Sequence, residues 1–135
     1  MKDLIKACRP KQWTKNFIVF AGPAFTFEYS YVIFTSSLIA LMCFCLISSS
    51  IYLINDSIDI NSDKKHPKKK FRPIASGIIK IPLALITSII LALTSLFLAL
   101  SLVSNSLFFI ILNYFILQLI YCTYLKREPI LDIFC

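Results

Sequence analysis

The chain has 135 residues, the size of an ordinary soluble domain, but 58% of them are hydrophobic and 16% charged, with a mean hydropathy of +0.78. That balance excludes a typical soluble domain and points to a membrane protein. The formal net charge of +7 lies beside apolar blocks with no nucleic-acid motif, so anionic head groups or phosphorylated substrates suit it and nucleic acid does not.

Residues 2–15 carry five cations and Trp13, the pattern of an interfacial segment with an aromatic at belt depth. The next apolar stretch, 17–27, is short and contains Gly22 and Pro23. By itself it suits a span, a re-entrant piece or the core of a signal peptide. Residues 29–54 and 82–103 are each long enough to cross a hydrocarbon core of about 30 Å as a helix, and 107–125 just reaches that length. Pro82 suits the first turn of its helix, where a missing N–H costs nothing.

Charge decides the fate of 17–27. All 14 Lys and Arg fall at 2–15, at 64–80 and at 126–127, whereas the connections at 28–30 and 104–106 hold none. If 17–27 crosses, every cation lies on one face, as the positive-inside bias expects. The expected fold is therefore an all-α, multi-pass bundle with four spans, about 14–28, 30–55, 82–103 and 107–125. The amino terminus and a loop at 56–81 are expected in the cytoplasm. After Lys126, Arg127 and Glu128 another apolar stretch, 129–135, begins; it reads as the start of a fifth span and as a sign of something longer. The five cysteines lack metal-ligand spacing with a histidine and read as small apolar packing residues.

The stretch NDSIDINSDKKHPKKKFRPIASG, residues 55–77, follows directly on a span. If that helix continues, Asp56, Asp59 and Asp63 are spaced i, i+3, i+7 and fall within roughly 60° of arc along roughly 10 Å of helix. Such a wall of carboxylates needs compensating cations, and Mg²⁺ suits it because it takes oxygen ligands and bridges carboxylates to phosphates. Helix capping and simple balance of the neighbouring lysines explain the same acids. A calcium loop does not, because Lys64 and Lys70 stand where glycine and a bidentate glutamate are needed.

Lys64, Lys65, Lys68, Lys69 and Lys70 read either as a positive-inside anchor or as phosphate ligands. Arg72, held by Pro73 and followed by Ser76 and Gly77, suggests a fixed turn presenting a forked donor to phosphate. His66, beside Pro67, reads as a loop residue. On the last span Tyr114, Gln118, Tyr121 and Leu125 share a face with Asn113 at its flank, suiting either hydrogen bonds between helices or substrate contact.

These residues resemble the UbiA-type membrane prenyltransferase superfamily. N-D-x-x-D-x-x-x-D at the end of a span, followed by R-P-x-x-x-G, looks like its first aspartate-rich motif. RPKQWTKN (9–16), YLINDSIDINSDKKHPKKKFRPIASG (52–77) and YCTYLKR (121–127) look most like the decaprenyl-phosphate phosphoribosyltransferase branch. The resemblance implies a helical bundle of about nine spans, of which residues 1–135 supply the amino-terminal part of one membrane-embedded transferase domain. A second acidic motif is then expected in a longer product or in a second chain carrying the remaining half.

The same resemblance implies transfer of a 5-phosphoribosyl group from 5-phosphoribosyl 1-diphosphate to a polyprenyl phosphate, dependent on Mg²⁺. It makes Asp56, Asp59 and Asp63 the metal-facing acids and gives Asn55 the task of orienting them. Lys69, Lys70, Arg72 and Lys126 become phosphate ligands, and Tyr114, Gln118 and Tyr121 cavity positions. No protein nucleophile is implied, since metal and cations stabilise the leaving diphosphate. Two other readings stay open: prenyl transfer from a prenyl diphosphate to an aromatic acceptor, and a non-catalytic truncated membrane protein that binds anionic lipid through its basic loop.

Overall fold

The computed structural model describes residues 2–27 and 30–124. The described residues are helical and connected by turns, with no strand among them. In chain order they form α1 (Lys2–Ala7), a 3-10 stretch (Pro10–Phe20), α2 (Ala21–Thr26), α3 (Tyr31–Ile58), α4 (Ile60–Lys65), a 3-10 turn (Lys69–Phe71), α5 (Ile81–Leu102) and α6 (Asn105–Thr123).

Three of these helices, α3, α5 and α6, are long and apolar enough to cross a membrane. Their starts follow local chemistry. The Ser30 hydroxyl accepts the Ile33 N–H and the Ser104 hydroxyl accepts the Leu107 N–H, each satisfying a donor that a helix start leaves open. Pro82 lies in the first turn of α5, where its fixed φ suits the helix.

The centre of the bundle is the contact of α3 with α5. Along α5, the buried residues are Ala84, Ser88, Ala92, Ser95 and Ala99, a face of small side chains that lets two backbones approach closely. The Ser50 hydroxyl donates to the Ser88 carbonyl and the Ser95 hydroxyl to the Cys43 carbonyl, both at 2.8 Å. These paired positions run in opposite directions along the two chains, so the helices are antiparallel. Polar groups are thereby satisfied without water, which the interior of a bilayer requires. α6 closes the core through Ile111 and Cys122, and the Tyr114 ring meets Phe44 edge-on at 5.9 Å. Large apolar residues such as Ile89, Leu93, Phe97 and Leu117 point outward, as lipid-facing residues do.

The first expected span takes an unexpected form. Residues Pro10–Phe20 are 3-10 and Ala21–Thr26 are α-helical, so this segment is not one of the three long α-helices. It nevertheless runs the length of α3: Trp13 bonds to Ser49, Asn16 to Cys45, Phe20 meets Phe34 with ring centroids 6.1 Å apart, and Pro23 and Ala24 share an apolar cleft with Ser30 and Tyr31. A 3-10 helix rises about 2.0 Å per residue against 1.5 Å for an α-helix, so these residues extend over roughly 31 Å, the thickness of the hydrocarbon core. Of that length the apolar residues 17–26 account for roughly 17 Å, and the rest belongs to the part that holds Lys11 and Lys15.

α3 itself is 28 residues long, roughly 42 Å, which exceeds the hydrocarbon thickness by about two turns. Those last turns hold the acidic stretch. Because the segment beside α3 and both later helices run end to end, residues 2–9, the loop after α3 and the end of α6 gather at one end of the bundle, and Ser30 and Ser104 at the other. Cysteines placed at Ser30 and Ser104 are therefore expected to be labelled from one side of a sealed membrane and a cysteine at Lys68 from the opposite side. Labelling of Lys68 and Ser30 positions from the same side would contradict this path.

Candidate functional site

The acidic stretch does not end with its span. α3 stops at Ile58, Asp59 (φ −83°, ψ 5°) is a single non-helical residue, and α4 resumes at Ile60. The Asp59 N–H still donates to the Asn55 carbonyl at 2.9 Å, and the Asp63 N–H to the Asp59 carbonyl at 2.8 Å. Helical spacing thus carries through the joint, and Asp56 and Asp63 stay on one wall.

Both of these acids are buried: Asp56 is 2% exposed and Asp63 1%. Arg72 joins them, with its Nη1 3.1 Å from Asp56 Oδ1 and 2.6 Å from Asp63 Oδ2. A second guanidinium arrives from the amino-terminal segment, Arg9 Nη2 lying 2.5 Å from the same Asp56 Oδ1. Two cations and two anions therefore form one unit at the end of a membrane helix. Burying a carboxylate is very costly unless it is paired and hydrogen-bonded, and here every carboxylate of the pair is.

The loop that delivers Arg72 is built to hold it. His66 Nδ1 accepts the N–H groups of Lys68 and Lys69, starting the 3-10 turn that leads to Arg72. Beyond it, the Ile79 N–H donates to the Pro73 carbonyl and the Ser76 N–H to the Arg72 carbonyl. Gly77 takes φ +81°, a left-handed conformation that glycine adopts without a Cβ clash. Ile74 and Ile79 are buried with Leu53, Ala84 and Ala7 in a small apolar cluster. The turn is thus packed, and Arg72 leaves it from a fixed base.

Arg9 is held on the other side. Its φ of 52° and ψ of 60° place a non-glycine residue in the left-handed region, at a cost of roughly 1–2 kcal/mol. Pro10 follows, and a residue before proline is disfavoured in the right-handed helical region. The guanidinium sits 4.7 Å from the centre of the Tyr52 ring, a cation–π distance. Beside it, the Ser49 hydroxyl is shared between the Cys45 carbonyl of its own helix at 2.8 Å and the Cys8 carbonyl at 3.1 Å, and Trp13 Nε1 donates to Ser49 Oγ at 3.0 Å. Burial pushes the Cys8 thiol above its ordinary value, so it supplies little thiolate at neutral pH.

Of the residues expected from sequence, the structure gathers Asp56, Asp63 and Arg72, with Asn55 and Asp59 at the joint beside them. Lys69 is half-buried, and Lys70 is exposed with its Nζ 5.2 Å from the Phe71 ring centre. Tyr114 and Tyr121 pack against the core cluster, and Gln118 is half-buried on α6. Lys126 and the stretch 129–135 lie outside the described residues. Arg9 is the addition: its motif was visible, but its partner is 47 positions away.

This arrangement does not fit a divalent cation as it stands. Among the described residues no group of three acidic, histidine or cysteine side chains is placed to hold a metal ion, and two of the three expected ligands already carry guanidiniums.

Comparison with known proteins gives a consistent result. The model of the UbiA prenyltransferase family matches residues 16–135. The decaprenyl-phosphate phosphoribosyltransferase of Mycolicibacterium smegmatis is 42% identical over 138 aligned positions, which cover 98% of this chain and 43% of that protein. The protein of the same name from Mycobacterium tuberculosis strain H37Rv is 38% identical, over 96% of this chain and 44% of the relative. Nodulation protein NoeC of Azorhizobium caulinodans is 32% identical, over 96% and 42%. The chain thus spans less than half the length of these relatives.

The ion network predicts a stability effect. Asp63→Asn keeps the side-chain size but leaves Arg72 sharing Asp56 with Arg9. Breaking a buried pair costs about 3–5 kcal/mol; because Arg72 is 24% exposed, a loss of about 2 kcal/mol is expected. Thermal unfolding of the purified protein in detergent should show a lowered midpoint, whereas Lys65→Ala at the exposed end of α4 should leave it nearly unchanged.

Proposed function

Since the chain belongs to the UbiA prenyltransferase family, we propose that its acidic end takes part in transferring a 5-phosphoribosyl group from 5-phosphoribosyl 1-diphosphate to a polyprenyl phosphate. An oxygen of the lipid phosphate attacks the anomeric carbon of the sugar. The bond from that carbon to the diphosphate breaks, and diphosphate leaves with the electron pair. No proton has to move in this step, so no protein base or nucleophile is required.

The observation that carries this reading is the meeting of Arg9, Arg72, Asp56 and Asp63 at the end of α3, with a cationic loop directly after it. A leaving diphosphate needs positive charge fixed where its own charge grows. Arg72, held by a packed turn and paired with Asp56 and Asp63, fixes the position of that turn, and Lys69 and Lys70 supply positive charge from it. A lipid phosphate reaches such a site from the membrane surface, where the end of α3 lies. By the positive-inside bias the cation-rich end faces the cytoplasm, where a water-soluble sugar diphosphate is available. Mg²⁺, suggested by the acidic spacing, belongs to this proposal as an ion that must compete with two guanidiniums for Asp56 and Asp63.

The names of the mycobacterial relatives support the choice of donor and acceptor. Because the chain covers 43% of the Mycolicibacterium smegmatis relative, the object to assay is a chimera in which it replaces the corresponding part of that protein.

Diphosphate release is expected from the chimera in lipid supplied with donor and polyprenyl phosphate. Asp59→Asn should reduce turnover a hundredfold or more, on the order of 3 kcal/mol in the barrier. Lys65→Ala should cost less than about tenfold. Both should be followed across a Mg²⁺ titration. Wild-type turnover of Asp59→Asn at every Mg²⁺ level would return the acids to a purely structural role.

A further inference from the structure

Two cations of the amino-terminal segment take no part in the ion network. Lys6 lies in the last turn of α1 and Lys11 in the first turn of the 3-10 stretch, one on each side of Arg9 and Pro10. Both are exposed, and among the described residues neither makes an ion pair. Asp3, the acid of the same segment, makes none either. Arg9 between them is committed to Asp56 and to the Tyr52 ring.

The turn at Arg9 brings these residues to one place. Its left-handed backbone ends α1 before the 3-10 stretch begins, and the Arg9 N–H donates to the Lys6 carbonyl while the Gln12 N–H donates to the Arg9 carbonyl. Lys6, Arg9, Pro10, Lys11 and Gln12 then line a cleft of about 530 Å³, a size within the range of small-ligand sites. Two ammonium groups without an acid border it, so it suits an anion. A positive-inside anchor needs the charges alone and no concavity around them.

The position of the cleft selects a lipid over a solute. It lies at the cation-rich end of the bundle, where the chain enters the membrane: Ile5 before it and Phe17 beyond it are exposed apolar residues, and Trp13 between them bonds to Ser49 of α3. A lipid presents a phosphate and apolar chains together, which matches cations followed by exposed apolar side chains along one segment.

We infer that the cleft at residues 6–12 is a site for the head group of an anionic phospholipid, with Lys6 and Lys11 binding its phosphate and its acyl chains lying in the apolar layer beside the segment. The site is separate from the acidic end and does not depend on the transfer reading. A lipid bound there holds at head-group depth the segment that carries Arg9 to Asp56.

Trp13, the only tryptophan of the chain, reports on it. The full chain is reconstituted in phosphatidylcholine vesicles containing increasing fractions of brominated phosphatidylglycerol or, separately, brominated phosphatidylcholine. Half-maximal quenching of Trp13 should need an about fivefold lower fraction of the brominated phosphatidylglycerol, the preference that roughly one lysine contact supplies. Lys6→Gln with Lys11→Gln should abolish that preference and leave the thermal midpoint unchanged, because both side chains are exposed. Lys64→Gln with Lys65→Gln removes the same charge from the other basic stretch and should retain it. Inorganic phosphate, added at matched ionic strength, should not compete. Equal quenching by the two brominated lipids overturns the inference. So does an equal loss of preference in both double variants, which assigns it to the general field of this end of the molecule, and so does competition by inorganic phosphate, which makes the occupant a solute. Should the Lys6, Lys11 double variant fail to fold, the single variants decide, a weakened preference in each supporting the site and a full preference in both overturning it.

Discussion

A carboxylate buried at the end of a membrane helix is the constraint on which the rest of this structure depends. Asp56 is almost wholly removed from solvent, and α3 carries no basic residue with which to neutralise it. The compensating charge has to arrive from elsewhere in the chain. Arg9 comes from 47 residues before it and Arg72 from 16 residues after it. Bringing both to one oxygen requires the amino-terminal segment and the loop after α3 to lie at the same end of the bundle. That requirement obliges residues 10–26 to run the length of α3, so one ion network explains both the site and the path of the chain.

The remaining polar groups obey the same rule at smaller scale. Serines on α3 and α5 would each be costly within lipid, and Ser50, Ser57, Ser88 and Ser95 all donate to backbone carbonyls. Two of these bonds cross between helices and tie α3 to α5 where small side chains let them approach. α6 contributes less polar contact to the core, and its Asn113 donates to its own helix at the Phe109 carbonyl. α3 is therefore the organising element. It is flanked by the amino-terminal segment and α5, and its last turns carry the acids.

Much of this architecture is readable from hydropathy alone. The blocks at 30–55, 82–103 and 107–125 correspond to α3, α5 and α6 within a few residues, because nothing but a helix satisfies the backbone of so long an apolar run. The turn at Pro73 to Gly77 is legible for a related reason: proline and glycine each dictate a dihedral. The first span is harder, since an apolar stretch with Gly22 and Pro23 does not announce a 3-10 stretch in place of an α-helix. Its extra rise per residue appears only once its neighbours on α3 are seen. The i, i+3, i+7 spacing places Asp56 and Asp63 on one wall, but local periodicity is silent about Arg9. A pairing across 47 residues leaves no trace in spacing, and the one local sign is an arginine before a proline in an interfacial segment.

The division between arginine and lysine in this chain has a physical consequence. Arg9 and Arg72 face the buried carboxylates, while Lys64, Lys65, Lys68 and Lys70 remain exposed. A guanidinium is planar and weakly hydrated and forms several directed bonds, so it suits a pair that is mostly removed from water. An ammonium holds its water and keeps its charge facing outward. The two arginines and their two carboxylates cancel, so they contribute geometry at short range and little field at long range. The positive field of this end of the molecule comes from the lysines instead. Long-range charge and the local pairing at the end of α3 thus fall to different residues, and a change in one need not disturb the other.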